Sequence, residues 1–121
     1  MLKTEALHGF WSSFGIPAYD ESTVPPDAVL PYITYEVITD NIGSPVYSSA
    51  KIHDRSMSWR SVTEIADRIA DTLGYGGITL HFDNGLLLIT QGAPFSQRLP
   101  DDTDNMRKIM INVVMEFISA T

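Results

Sequence analysis

The chain has 121 residues, the usual length of a single domain, and 44% of them are hydrophobic, which is enough for a buried core and excludes a disordered chain. Eight scattered Lys and Arg stand against 15 Asp and Glu, a net charge of −7, so direct binding of duplex nucleic acid, which needs several grouped cations, is not expected. The chain has no cysteine and no apolar run near the ~20 residues that cross a bilayer, so we expect no disulfide, no membrane segment and synthesis in the cytoplasm.

A first helix is predicted over roughly residues 2–14, because four apolar side chains recur at the spacing of one helix face. These side chains are Leu7, Phe10, Trp11 and Phe14. Gly15 is the expected C-terminal cap, and Pro17 prevents the helix from continuing. We expect the stripe to be buried against a sheet, with stacking on a cofactor as the alternative. The proline-rich residues 18–31 that follow are predicted to be an extended connection.

A first hairpin is predicted from two runs rich in β-branched and aromatic residues. They are residues 32–38 and about 46–57, separated by the breaker Asp40–Pro45. The tip is polar apart from Ile42, and an apolar side chain at an exposed tip indicates a contact site.

The clearest helix is predicted over residues 58–73, which carry an apolar stripe on one side and charged residues on the other. Ser61 and Glu64 have the spacing of an N-terminal capping box, and Ser58 is the alternative cap. Gly74 is expected to end the helix.

A second hairpin is predicted over residues 78–90, because Asn84-Gly85 between apolar runs is a strong signal for a tight turn. Gly92, Pro94 and Pro100 then predict a loop.

The final segment fits both a helix and a strand, since its apolar residues suit either period. The β-branched residues of 106–118 favour a long strand, central in the sheet, whose end projects or meets a neighbouring subunit. The whole pattern predicts one α+β domain over residues 1–121, with a mostly antiparallel sheet of about four to five strands and two helices packed on it.

Few residues in the sequence indicate a catalytic or metal-binding site. The three histidines, His8, His53 and His81, match no metal-binding or catalytic spacing. The acidic cluster of Asp101, Asp102 and Asp104 is expected to be a solvated turn, with weak Ca²⁺ or Mg²⁺ binding as the alternative. We therefore expect no catalytic residue, no metal and no cofactor. An enzyme or ligand-binding domain has only His81 near Asp83 and this acidic turn in its favour.

Four segments resemble, in order and residue type, the tail terminator (tail completion) proteins of long-tailed bacteriophages and prophages. They are Pro31–Tyr35, Ser56–Asp67, Gly92–Arg98 and the Asp-rich turn with Met106–Val113. The resemblance covers most of the chain and contains no chemical signature.

The resemblance implies a structural virion protein that assembles as a homo-hexameric ring on the last ring of the tail tube. Such a ring stops tube polymerisation and offers the tail-side surface for head–tail joining. The implied partners are further copies of the chain, the tail tube protein and a neck or head-completion protein, with DNA only in passage and no membrane. The implied location is the head-proximal end of the virion tail, after assembly in the host cytoplasm. The alternatives are a neck or head-completion connector and a non-viral small binding domain.

Three segments are the predicted contact sites between subunits or partners: the Asp40–Pro45 tip, the Pro94–Arg98 connector and the Asp101–Asn105 turn. The predicted interface residues are Asp40, Asn41, Ile42, Phe95, Gln97, Arg98, Asp101 and Asp102. Phe95 and Arg98 lead this set, because aromatic residues and arginines are enriched among interface hot spots. The alternative for Phe95 is that it fills the core of its own chain.

Overall fold

A six-stranded sheet forms the centre of the computed structural model, which describes residues 2–38, 45–100 and 105–119. The strands are ordered β1-β2-β3-β6-β5-β4 across the sheet. Their bounds are β1 Ala18–Asp20, β2 Tyr32–Tyr35, β3 Val46–Arg55, β4 Ile78–Phe82, β5 Gly85–Leu99 and β6 Met106–Ser119. Two helices, α1 (Lys3–Trp11) and α2 (Arg60–Leu73), share one hydrophobic core with a single face of this sheet. The α+β prediction is confirmed.

The sheet has one strand more than the four to five predicted. The additional strand is β1, which lies in the segment 18–31 that was predicted to be a plain connection. It pairs with β2 in parallel, and Ala18 lies opposite Ile33. Its three residues carry no alternating pattern long enough to be recognised from the sequence.

The final segment is a strand of 14 residues, as the β-branched content predicted. β6 is central, since it pairs antiparallel with β3 on one side and with β5 on the other. Every second side chain of β6 is buried under the helices: Ile109, Ile111, Val113, Met115 and Phe117. The alternation with a period of two therefore gives the correct structure of this segment. It is a strand whose two edges are both hydrogen-bonded to neighbouring strands.

The aromatic stripe of the first helix is buried, as predicted. α1 ends at Trp11 and is followed by a short 3₁₀ helix, Ser12–Phe14, before Gly15 with φ of 88°. Only glycine adopts this left-handed conformation without steric cost, so the cap prediction is confirmed. Trp11 stacks on Tyr35 with 6.5 Å between ring centroids, which fixes the helix against β2.

The predicted capping box of the second helix is wrong. The Ser61 hydroxyl donates a hydrogen bond to Asp54 on β3, and Glu64 accepts one from Arg60 at 2.9 Å. Both residues lie inside the first turns of α2, so neither caps its start. The alternative, Ser58, accepts the N–H of Arg60 at 3.1 Å. Gly74 ends the helix as predicted.

The first hairpin is confirmed, although β2 is shorter than predicted. β2 and β3 pair antiparallel, and Tyr35 lies opposite Ala50. Beyond this pair, the N–H of Glu36 donates to the carbonyl oxygen of Ser49 at 3.1 Å, and the side chain of Glu36 accepts the N–H of Ser49 at 3.0 Å. The hairpin tip, residues 39–44, is outside the described residues.

The second hairpin turns where predicted, since Asn84 has φ of 66° and Phe82 lies opposite Gly85. The predicted loop after residue 91 is wrong, because β5 continues to Leu99. Pairing with β6 runs to Gln91 and resumes at Ser96. Pro94 lies within this irregularity, where its lack of an N–H does not interrupt the ladder of hydrogen bonds.

Candidate interaction surfaces

The three histidines lie in separate parts of the fold. His8 Nδ1 is 2.8 Å from the Tyr35 hydroxyl, and His53 Nε2 is 2.9 Å from the Thr34 hydroxyl. Burial, with a smaller contribution from Asp20, raises the pKa of Tyr35, while hydrogen bonds from Ser22 lower the pKa of Asp20. Across residues 2–38, 45–100 and 105–119, no three His, Cys, Asp or Glu side chains group as metal ligands would.

His81 lines an open groove between α1 and β4, with a volume of about 360 Å³. The groove is mainly apolar through Ala6, Phe10, Ile78 and Leu80, and Glu5 also lines it. The polar side chains that line it are those of His81, Glu5, Ser13 and Thr72. The groove is a surface depression at the edge of the sheet.

The irregularity in β5 brings a short segment to the surface. Four residues of β5, 92–95, lie opposite the single residue Asn112 of β6. Asn112 donates a side-chain hydrogen bond to the carbonyl oxygen of Pro94 at 3.0 Å, which fixes the segment. A Cβ on Gly92 would lie 2.9 Å from the carbonyl oxygen of Asn112, so this position accommodates only glycine without a shift. Ala93 and Pro94 are exposed as a result.

The structure separates the predicted interface residues of the connector. Phe95 is half-buried and packs against the core, so part of its surface is used within its own chain. Gln97 is exposed and lies opposite Met110, on the face of the sheet away from the helices. Arg98 lies opposite Ile109, on the helix-facing side. Asp40, Asn41, Ile42, Asp101 and Asp102 are outside the described residues.

Arg98 belongs to a cluster that sequence reasoning missed. Its guanidinium lies 4.6 Å from the centre of the Trp59 ring, and the guanidinium of Arg107 lies 5.4 Å from the same centre. Arg107 also donates a hydrogen bond to the carbonyl oxygen of Met57 at 3.2 Å. The cluster joins β5 and β6 to the start of α2. No local pattern indicates it, because its residues come from three separate segments.

The sheet face away from the helices, called the open face below, carries apolar side chains that no other element of the described residues covers. Tyr47 is 74% exposed and lies in register with Val114 of β6, which in turn lies opposite Thr90 of β5. Further half-buried or exposed apolar residues on this face are Leu86, Leu88, Met110 and Ile118. Large exposed apolar groups on a sheet face indicate a contact surface.

One end of the open face is basic. Lys51, His53 and Arg55 alternate along β3 on this face, and Lys108 of β6 lies opposite His53. These four residues are called the basic strip. Three of them are among the eight Lys and Arg of a chain whose net charge is −7, so the strip is a local reversal of the overall charge.

The exposed side of α2 carries three acidic residues together with Arg60 and Arg68. Glu64, Asp67 and Asp71 recur at helical spacing on the solvent side and are called the acidic stripe. Glu64 forms an ion pair with Arg60 at 2.9 Å. Tyr75, directly after the helix, is fully exposed. The acidic stripe and the basic strip lie on opposite sides of the molecule, because α2 packs on the other face of the sheet.

Neither helix is long and apolar enough to cross a membrane; this holds for the described part of the chain.

The chain matches no protein-family model and no curated protein. Among solved structures it is similar to a chain of the "Virion of native gene transfer agent (GTA) particle", with a TM-score of 0.66 and 16% sequence identity. The likeness covers 94% of this chain and 96% of the other, so the two share one fold over nearly their whole lengths.

Proposed function

We propose that this chain is a structural protein of a phage-like virion that caps the tail tube, stops its polymerisation and provides the tail-side surface for head–tail joining. The observation that supports this most is the shared fold with a virion chain, which leaves almost no part of either chain unmatched. The order of segments typical of tail terminators supports the finer assignment to the tube end. The protein acts in this proposal through contacts between surfaces and performs no catalysis.

The exposed surfaces suit such a role. A homo-hexameric ring needs two different patches on each copy, since a cyclic contact joins one patch to another. The open face and the solvent side of α2 are two such patches, and both carry exposed aromatic residues, Tyr47 and Tyr75. The ring contacts further copies of the chain, the tail tube protein and a neck protein, and DNA only passes through it.

Tube assembly in the presence of the purified chain tests this function. Purified tail tube protein is polymerised with and without the chain, and tube lengths are measured by electron microscopy. We expect shorter tubes of uniform length, each with the chain at one end as located by gold labelling. Labelling along the whole tube, or tube lengths that do not respond to the chain, contradicts the proposal. Cross-linking in particles that joins the chain only to the portal assigns it to the neck instead.

A further inference from the structure

We propose that the open face of one copy docks the acidic stripe on α2 of the next copy, and that this contact closes the ring. This inference rests on the proposed function only in assuming that the copies form a ring. The contact itself depends on two surfaces of the chain. The occupant of the open face is therefore a second copy of the same protein.

No described element covers the open face, whereas the helices bury the opposite face of β6. On β6 the residue Val113 is buried, whereas its neighbour Val114 faces the open side beside Tyr47. A stable interface buries about 800 Å² on each partner. The exposed aromatic and aliphatic groups of this face supply an apolar centre for that contact, since apolar burial contributes about 25 cal/mol per Å².

Charge selects the occupant. Within the described residues neither Lys51 nor Arg55 forms an ion pair. On the other side of the molecule, the carboxylates of Asp67 and Asp71 also form none with any described residue. Two strip cations and two stripe carboxylates can therefore pair in a contact between copies, and complementary potentials set register and partner.

The same charges disfavour the simplest alternative, a two-fold dimer with open face against open face. When its two-fold axis runs along the strands, that arrangement places one basic strip against another, and like charges brought together at an interface cost several kcal/mol. A contact between the basic strip and the acidic stripe joins different patches, which is the kind of contact that forms a closed ring.

Duplex DNA is a weaker candidate for the basic strip. Three of the four strip residues are Lys or Arg, and Glu116 lies on the same face. Proteins that hold duplex DNA usually neutralise several more phosphates than this. Binding of duplex DNA by the basic strip is therefore the outcome that competes with the contact between copies.

Charge reversal tests the contact. The variants Lys51→Glu/Arg55→Glu and Asp67→Lys/Asp71→Lys are each expected to lower ring formation at least tenfold, measured by light scattering with tube protein present. The two variants mixed in equal amounts are expected to restore rings, because each then meets a complementary neighbour. Glu21→Lys/Asp27→Lys is the matched control for the acidic-stripe variant, since it changes two exposed acids elsewhere and by the same charge. Circular dichroism and thermal melting confirm that each variant is folded.

Cysteine cross-linking separates this inference from the proposed function. Because the chain has no cysteine, Lys51→Cys with Asp71→Cys introduces the only thiols. We expect oxidation to give a ladder of covalent oligomers, and Glu21→Cys with Asp27→Cys to give none. A ladder without tube capping supports the contact and contradicts the capping function. Capped tubes with unchanged rings in both charge variants overturn the contact. The contact is also overturned if Lys51→Glu/Arg55→Glu loses binding of duplex DNA while its rings are unaffected.

Discussion

The two faces of the sheet are built from the same strands and differ in how far their side chains are buried. On the helix-facing side, the residues of β6 from Ile109 to Phe117 are at most 5% exposed at every second position. On the open face, the residues between them, such as Val114 and Glu116, are half-exposed. The helix-facing side therefore supplies the hydrophobic core, while the open face keeps partly exposed apolar side chains. The comparison shows that one set of strands can supply both a buried core and an exposed apolar surface.

The largest expected effect comes from placing a charge on each face in turn. Val113→Asp buries a carboxylate without a partner at a fully buried position, and we expect more than ~4 kcal/mol of lost stability, enough to prevent folding. Val114→Asp, one residue later on the open face, is expected to cost less than about 1 kcal/mol. Urea unfolding followed by circular dichroism measures both. Equal losses for the two variants contradict the division of roles between the faces.

A cavity in the core is the next largest effect. Phe117→Ala removes a ring that is 1% exposed, and we expect a loss of about 3–5 kcal/mol in unfolding free energy. Ile118→Ala, at a position that is 39% exposed, is the control on the open face and is expected to change stability by less than about 1 kcal/mol. Thermal melting compares the two. A large loss for the control shows that the open face is covered within the chain.

The start of β4 depends on a glycine. Gly77 has φ of +75°, and a Cβ there would lie 2.3 Å from the carbonyl oxygen of Ile89. We expect Gly77→Ala to cost about 2–3 kcal/mol, because the backbone conformation and the close approach both exclude a side chain. Gly76→Ala is the matched control, since a Cβ at Gly76 meets nothing within 4 Å. Melting temperatures that fall equally for both variants contradict this explanation.

The exposed segment in β5 depends on one side chain of the open face. Asn112→Ala removes the hydrogen bond to Pro94, and we expect a loss of about 1 kcal/mol. Hydrogen exchange at Ala93 and Phe95 should rise while exchange at Val113 is unchanged. Asn112→Asp keeps the size and removes the donor, so it should behave like the alanine variant. Unchanged exchange in both variants shows that the segment is held by other contacts.

The smallest effect is a pH dependence at Tyr35 on the helix-facing side. Burial raises its pKa above the ordinary value of 10.0, so the folded state holds the phenol proton more tightly than the unfolded chain. The stability from this group is complete below pH ~10 and is lost as the pH rises through the folded pKa. Tyr35→Phe should make the decline of stability above pH ~10 shallower, whereas Tyr47→Phe, on the open face, should not. Melting curves between pH 8 and 11 measure the difference.

Part of the interaction surface was predictable and part was not. The strand over about residues 46–57 was predicted from its residue types, and the structure places its Tyr47 and Lys51 on one face. Phe95 and Arg98 were expected together as contact residues, but Phe95 packs on the core and Arg98 lies over Trp59. Whether either also meets a partner stays a prediction. Their surroundings come from α2 and β6, which no local pattern near residue 95 reveals.

What the sequence by itself determined is local. Helical spacing gave α1 and α2, Asn84-Gly85 gave the tight turn, and alternation with β-branched residues gave β6. Only the tertiary structure decided that β5 continues beyond Pro94 and that both helices cover the same face of the sheet. The physical reason is that an alternating pattern only divides the side chains of a strand between two faces. Which of those faces the helices cover depends on packing between segments that are distant in the chain.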